Sequence, residues 1–276
     1  MEGNKRVYPA ERSMEGWLNV LLLVFAAAVF VSGLWSQKEN SLFSIQPSVV
    51  STPVPLDETF DETLSERMVT LPSSVWYALQ LGTFEAEKDA QTVAESYRRR
   101  GAAGFLWNDG RWRVMAAVYP LREDAQSVRM QLESKHDVET SLYQVQLPQL
   151  ELRVSGMTGQ LDILDAAFMH ANDLAVQLHG ISTAMDRQEM TAAGAADQLA
   201  AMCEQMDLVV LRMKQRFETP RNETVSMLIA MFEEGSAFCR SFHSQLDGVT
   251  AGMQLKHQTL STLYYLQQIY HTLSHT

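Results

Sequence analysis

The chain reads as an α+β protein in three parts. These are an N-terminal transmembrane helix, a four-stranded, mainly antiparallel sheet with two helices on one face, and a C-terminal all-α four-helix bundle. Three observations predict this: an uncharged apolar run at 17–36, a diluted internal repeat at 75–147, and four successive helical stripes within 150–276.

The repeat shows when Trp76-Tyr77-Ala78-Leu79-Gln80-Leu81-Gly82-Thr83-Phe84 is set above Arg111-Trp112-Arg113-Val114-Met115-Ala116-Ala117-Val118-Tyr119. Both are apolar, aromatic-ended runs of strand character. After each comes the same short motif, Asp89-Ala90-Gln91 with Val93 and Asp124-Ala125-Gln126 with Val128. Each copy continues as a helical pattern and closes in a second apolar run, Ala103 to Trp107 and Thr140 to Val145. The unit is strand-helix-strand, twice, joined at Asn108-Asp109-Gly110, a hairpin signal. Two such halves place both helices on one face and leave the other open.

Period-two alternation then sorts the strand residues. Tyr77, Leu79 and Leu81, with Trp112, Val114, Ala116 and Val118, are expected to face the helices. Trp76, Ala78 and Gln80, with Arg111, Arg113, Met115 and Ala117, are expected on the open face, with Gln80 opposite Met115. Tyr77, Phe84, Trp112 and Tyr119 read as core, whereas Trp107 suits either side.

The run from Tyr77 to Phe84, with its Gln-x-Gly-Thr-Phe element, a helix rich in Ala, Arg and Glu, and the run from Trp112 to Tyr119 resemble the SPOR (sporulation-related) domain. The second half ends in Ala116-Ala117-Val118-Tyr119 where the family has Val-Gly-Pro-Phe. The resemblance implies binding of peptidoglycan glycan strands, with strands stripped of their stem peptides preferred. It places Gln80, Thr83 and Arg113 at matching groove positions, and Arg111 where relatives can carry an aromatic. Trp76 and Met115 join the candidate site from alternation alone. Amide and guanidinium groups suit hydroxyls and N-acetyl carbonyls, and aromatic faces suit the apolar side of a sugar ring.

Residues Trp17 to Trp35 contain no charge. Crossing the hydrocarbon core takes about 20 apolar residues, and terminal Trp suits the interfacial belts. Lys5, Arg6 and Arg12 precede the run and only Lys38 follows closely. The expectation is a signal-anchor at 17–36 in the lipid bilayer, a cytoplasmic N-terminus at 1–16, and extracytoplasmic domains thereafter. A cleaved signal peptide, with Val31-Ser32-Gly33 at the cleavage site, is the competing reading. Residues 37–74, rich in Ser, Thr, Pro and acids, read as a disordered linker spanning roughly 35 Å, within which Leu56 to Met68 could form a short acidic helix.

Beyond Leu147-Pro148, apolar residues recur at three-four spacing in four stripes, with breaks near Arg187, at Glu218 to Asn222 and near Gly248. Short connections favour an antiparallel bundle over 150–276, suited to an unidentified protein partner or self-association. Cys203 and Cys239 lie equally far from Arg221, so a helical hairpin brings them level. Either they are bonded, as an oxidising compartment allows, or they are two buried thiols.

A net charge of -11 argues against nucleic acid. Cys239 with His243 lacks an orienting third group, and His271 with His275 lacks further ligands; no cofactor, metal or catalytic residue is expected. Arg98-Arg99-Arg100 complements a helix dipole more simply than it recruits an anionic polymer. The function that follows is a non-enzymatic, membrane-tethered protein that binds peptidoglycan, in cell division or sporulation by resemblance. The alternatives are a SPOR-targeted wall hydrolase and a structural scaffold acting through the bundle.

Overall fold

A computed structural model of the chain describes residues 63–217 and 222–275. The expected anchor at 17–36, the N-terminal 1–16 and most of the 37–74 linker lie outside the described residues. Among the described residues, no helix is long and apolar enough to cross a membrane.

The repeat folds as β2 (Ser74–Phe84), α1 (Glu87–Arg98), β3 (Phe105–Asn108), β4 (Trp112–Tyr119), α2 (Arg122–His136) and β5 (Ser141–Leu147). The strands form one sheet in the order β3-β4-β2-β5, antiparallel at every pairing. Both helices open with acids in the first turn and close with bases in the last, complementing the macrodipole. The alanines of the repeated Asp-Ala-Gln motif, Ala90 and Ala125, are fully buried. Ala90 packs with Ala94 and Val114 between α1 and the sheet, while Leu79, Ala102 and Ala116 form a second small core with Val128 and Leu132 of α2. The repeated motif is thus the place where a helix comes close to the strands.

Two features depart from the sequence expectation at the edges of this unit. Residues Leu64–Leu71 form a strand, β1, paired antiparallel with Leu150–Met157, β6. The last part of the expected linker is therefore structured, Leu64 to Met68 are strand and not helix, and the bundle begins only after β6. The ribbon prolongs the β2–β5 pair in the same register, with Leu71 opposite Leu150 and Ser74 opposite Leu147. Pro72 and Pro148 sit in the gap, one on each strand, and a residue without an N–H cannot complete the ladder. One ribbon face, including Val69, Leu71, Leu152 and Val154, turns to the bundle, while Met68, Thr70, Glu151 and Arg153 are exposed.

The bundle comprises α3 (Thr158–Asp186), α4 (Ala192–Arg216), α5 (Glu223–Ser241) and α6 (Gly248–Ser274), with the expected breaks between them. Successive helices pack together and α6 returns to α3. Thr191, Asn222 and Asp247 cap α4, α5 and α6 by accepting backbone N–H bonds. Cys203 and Cys239 are both buried and both free thiols. The Cys203 sulfur lies 3.2 Å from the Ser236 hydroxyl, inside a polar group completed by Asp207 and Arg240. Of the two readings the sequence leaves open, the structure has two buried thiols.

The sheet face opposite α1 and α2 is not open. Helix α6 crosses it from β3 to β5, with His257 Nδ1 3.0 Å from the Ala103 carbonyl and the Tyr264 ring 5.1 Å from that of Trp107. Further along, Gln267 stands beside the Tyr143 hydroxyl and Tyr270 donates to the Pro72 carbonyl at 2.8 Å. Near the other end of the face, His179 of α3 stands edge-on to Trp76 and Tyr119, with ring centroids at 5.8 and 5.9 Å. One continuous core runs from Val69 and Leu71 through Trp76, Trp107 and Met115 into the bundle. Val118 belongs to this side, a correction to the alternation that placed it against α1 and α2. A largely buried ion pair, Lys256 Nζ to Asp186 at 2.8 Å, ties α6 to the end of α3.

Two measurements test this packing. Leu71 is fully buried at the ribbon–bundle junction, so Leu71→Ala should cost about 2–5 kcal/mol in denaturant unfolding, an effect foreign to a disordered linker. Burial at the seam pushes His179 down from 6.5 to about 4, aided by Arg187 and Lys256 and opposed by Asp186 and a backbone bond to Val118. The unfolded chain therefore takes up this proton first. The stabilisation is complete above about pH 6.5 and is lost as pH falls toward 4, amounting to about 2 kcal/mol by pH 5. His257, lowered by burial in the same direction, adds to the slope. Unfolding measured from pH 7 to pH 5 should show it, and His179→Phe should remove the His179 share.

Candidate functional site

Strict alternation would send Gln80 and Thr83 to opposite faces, because they are an odd number of residues apart. The pairing of β2 with β4 shifts register between Leu79 and Gln80 and again between Gln80 and Gly82. Gln80 consequently pairs with Met115, Thr83 pairs with Arg113, and both polar side chains reach the same guanidinium. A Cβ on Gly82 would stand 2.8 Å from the Phe84 ring, so the glycine and the aromatic of the Gln-x-Gly-Thr-Phe element fit only together.

Arg113 is the hub. Its Nη1 donates to Gln80 Oε1 at 2.9 Å and reaches Thr83 Oγ1 at 3.4 Å. Its Nε donates to both carboxylate oxygens of Asp109 at 2.9 Å. The guanidinium carbon lies 4.9 Å from the centre of the Tyr143 ring, whose hydroxyl donates to Asp109 Oδ2 at 3.0 Å. Gln80 Nε2 completes the group by donating to Ser141 Oγ at 3.1 Å. Burial alone would raise the Asp109 carboxyl, but the bonds from Arg113 and Tyr143 and the adjacent positive charge hold it below the usual range. Burial and the bond to Asp109 raise the Tyr143 hydroxyl. At neutral pH the cluster is therefore an ion pair of no net charge that offers directed donors and acceptors.

The hub occupies the end of the face that α6 leaves accessible: the Arg113 side chain is 23% exposed, and Gln80 and Thr83 are half-buried. The other candidates lie elsewhere. Arg111 is exposed in the hairpin, with its guanidinium 3.4 Å from the Glu85 carboxylate. Trp76 and Met115, expected on an open face, are 5% and 0% exposed and belong to the core shared with the bundle. Asp109 and Tyr143 were not singled out by the sequence. Asp109 reads as a turn residue, yet a three-residue hairpin loop brings it back over Arg113; Tyr143 reads as part of an apolar run.

Outside this cluster little chemistry assembles. Burial first, and then the neighbouring Cys203, push the Cys239 thiol up to about 12, which leaves it a small hydrophobe. The rings of His271 and His275 meet edge-on, with centroids 4.4 Å apart. Among the described residues, no group of three or more His, Cys, Asp or Glu is placed to hold a metal ion. Arg100 lies over the Tyr97 ring at 5.3 Å.

No curated protein and no solved structure matches the chain. The family model described as the SPOR domain matches residues 73–144, a span that begins just before β2, takes in both helices of the repeat and contains every member of the Arg113 cluster. This part of the chain belongs to the SPOR domain family.

Proposed function

We propose that this chain is a non-catalytic wall-binding protein that recognises the glycan strands of peptidoglycan, with strands stripped of stem peptides preferred. Membership of the SPOR family supports peptidoglycan as the ligand. The observation that carries the site is the convergence of Gln80, Thr83 and Asp109 on Arg113 at the accessible end of the sheet. A guanidinium flanked by an amide and an aromatic ring can meet the hydroxyl and N-acetyl groups of such a strand and the lactyl carboxylates that removal of the stem peptides uncovers. In this reading the apolar run at 17–36 tethers the protein in the bilayer with the SPOR domain outside the cytoplasm, and the setting is cell division or sporulation.

A second reading has its own support. The shared core beneath α6 makes the sheet a docking platform for the bundle, which suits a scaffold in which assembly is the main role.

Co-sedimentation of the full-length chain with purified sacculi, before and after amidase removal of stem peptides, separates the two. Binding should rise after stripping. Loss of a charge-assisted hydrogen bond costs about 1.5–3 kcal/mol, so Arg113→Ala should weaken binding about 10- to 100-fold, and Gln80→Ala less. Absence of binding to either preparation would favour the scaffold.

A further inference from the structure

We propose that the helical bundle is a displaceable cover: α6 and the glycan strand compete for one aromatic floor on the SPOR sheet, and full binding requires the bundle to swing away. The inference rests on the glycan-binding reading and adds its regulation.

The floor is continuous with the hub. Arg113 lies over Tyr143, the Tyr143 ring is 5.9 Å from Trp107, and Trp107 is 6.1 Å from Phe105. Three aromatic rings therefore lead from the accessible cluster to the part of the face beneath α6. The helix occupies this floor with side chains of sugar-like chemistry. The Tyr264 ring packs against Trp107 and Phe105 while its hydroxyl reaches the Asn108 carbonyl at 3.4 Å. The Gln267 amide stands beside the Tyr143 hydroxyl, and the His257 ring meets the Ala103 carbonyl. A ring on an aromatic surface, with a hydroxyl and an amide at its margin, is what a glycan would present.

One polar group under the helix is left unmatched. Trp107 is fully buried, and its indole Nε1 has no hydrogen-bond partner. A buried donor without an acceptor costs about 1–3 kcal/mol, so the covered state is imperfect at the centre of the floor. A hydroxyl or N-acetyl carbonyl oxygen would accept that proton. The polar groups that α6 sets on the sheet, on His257, Tyr264 and Gln267, are also ones that water can satisfy once the two surfaces part.

The chain supplies a joint for the movement. The ribbon β1–β6 packs on α3 and leads into it without a loop. Between ribbon and sheet, the ladder is interrupted at Pro72-Ser73 and Pro148-Gln149, four exposed residues. Ribbon and bundle can turn together about this gap, and the bond from Tyr270 to the Pro72 carbonyl acts as a latch across it.

The test uses the full-length chain, stripped sacculi, and soluble glycan fragments prepared from them. Tyr264→Ala and, as a milder change that preserves the aromatic core, Gln267→Ala loosen the cover without altering the sheet. Both should raise sacculus binding, by about 10-fold for Tyr264→Ala, and adding Trp107→Phe should cancel the gain. In the wild-type chain, glycan fragments should increase oxidative footprinting of Tyr264 several-fold. If wild type binds, Tyr264 labelling stays constant and both variants bind as wild type does, the cover is fixed and the proposal fails, while glycan recognition at the hub stands. If neither wild type nor the variants bind, the glycan reading itself falls and the cover falls with it.

Discussion

The burial of Trp107 and Met115 beneath α6 is the contact from which the rest of the arrangement follows. A four-stranded sheet with helices on one face has an apolar second face to account for, and here the bundle accounts for it. Five consecutive residues of β4, Val114 to Val118, are buried, which is the pattern of a strand covered on both sides. Polar side chains gather where that cover ends. Arg113, Gln80 and Thr83 stand together because α6 passes over Trp107 and leaves their end of the face in reach of water.

The β1–β6 ribbon makes this cover part of the domain's own chain. It extends the β2–β5 pair without changing register and hands the chain directly to α3. The bundle is therefore held at a defined height over the sheet by two strands, and its approach is completed by His257 against the Ala103 carbonyl and by His179 between Trp76 and Tyr119. These contacts are specific and polar in part. They position the bundle more sharply than apolar burial alone could, since a misplaced hydrogen bond in a dry interface is costly.

Much of this was legible in the sequence. The repeat located β2 to β5 and both intervening helices, three-four spacing located α3 to α6, and the Gln-x-Gly-Thr-Phe element located the family. The ribbon was missed because Ser65 and Arg67 occupy inward positions of β1 where period-two reading looks for apolar residues, and because Pro72 and Pro148 read as breakers. Their effect is to interrupt a ladder that resumes in the same register beyond them. Alternation also failed locally: two register shifts around Gln80 bring Gln80 and Thr83 to one side, and Val118 goes to the bundle. The continuous apolar run from Val114 to Val118 was the available signal that both faces are covered.

What no pattern in β2 to β5 could disclose is which partner covers the second face. A helix bearing Tyr, Gln and His and a sugar bearing hydroxyls and amides ask the same things of a sheet: aromatic surface, and donors and acceptors at its margin. Trp107, Phe105 and Tyr143 serve either occupant equally well. The difference lies in the leftover groups. A permanent core partner is expected to leave no buried donor unmatched, whereas the Trp107 indole N–H beneath α6 is unpaired. That one atom favours a face shared between two occupants over a face closed for good.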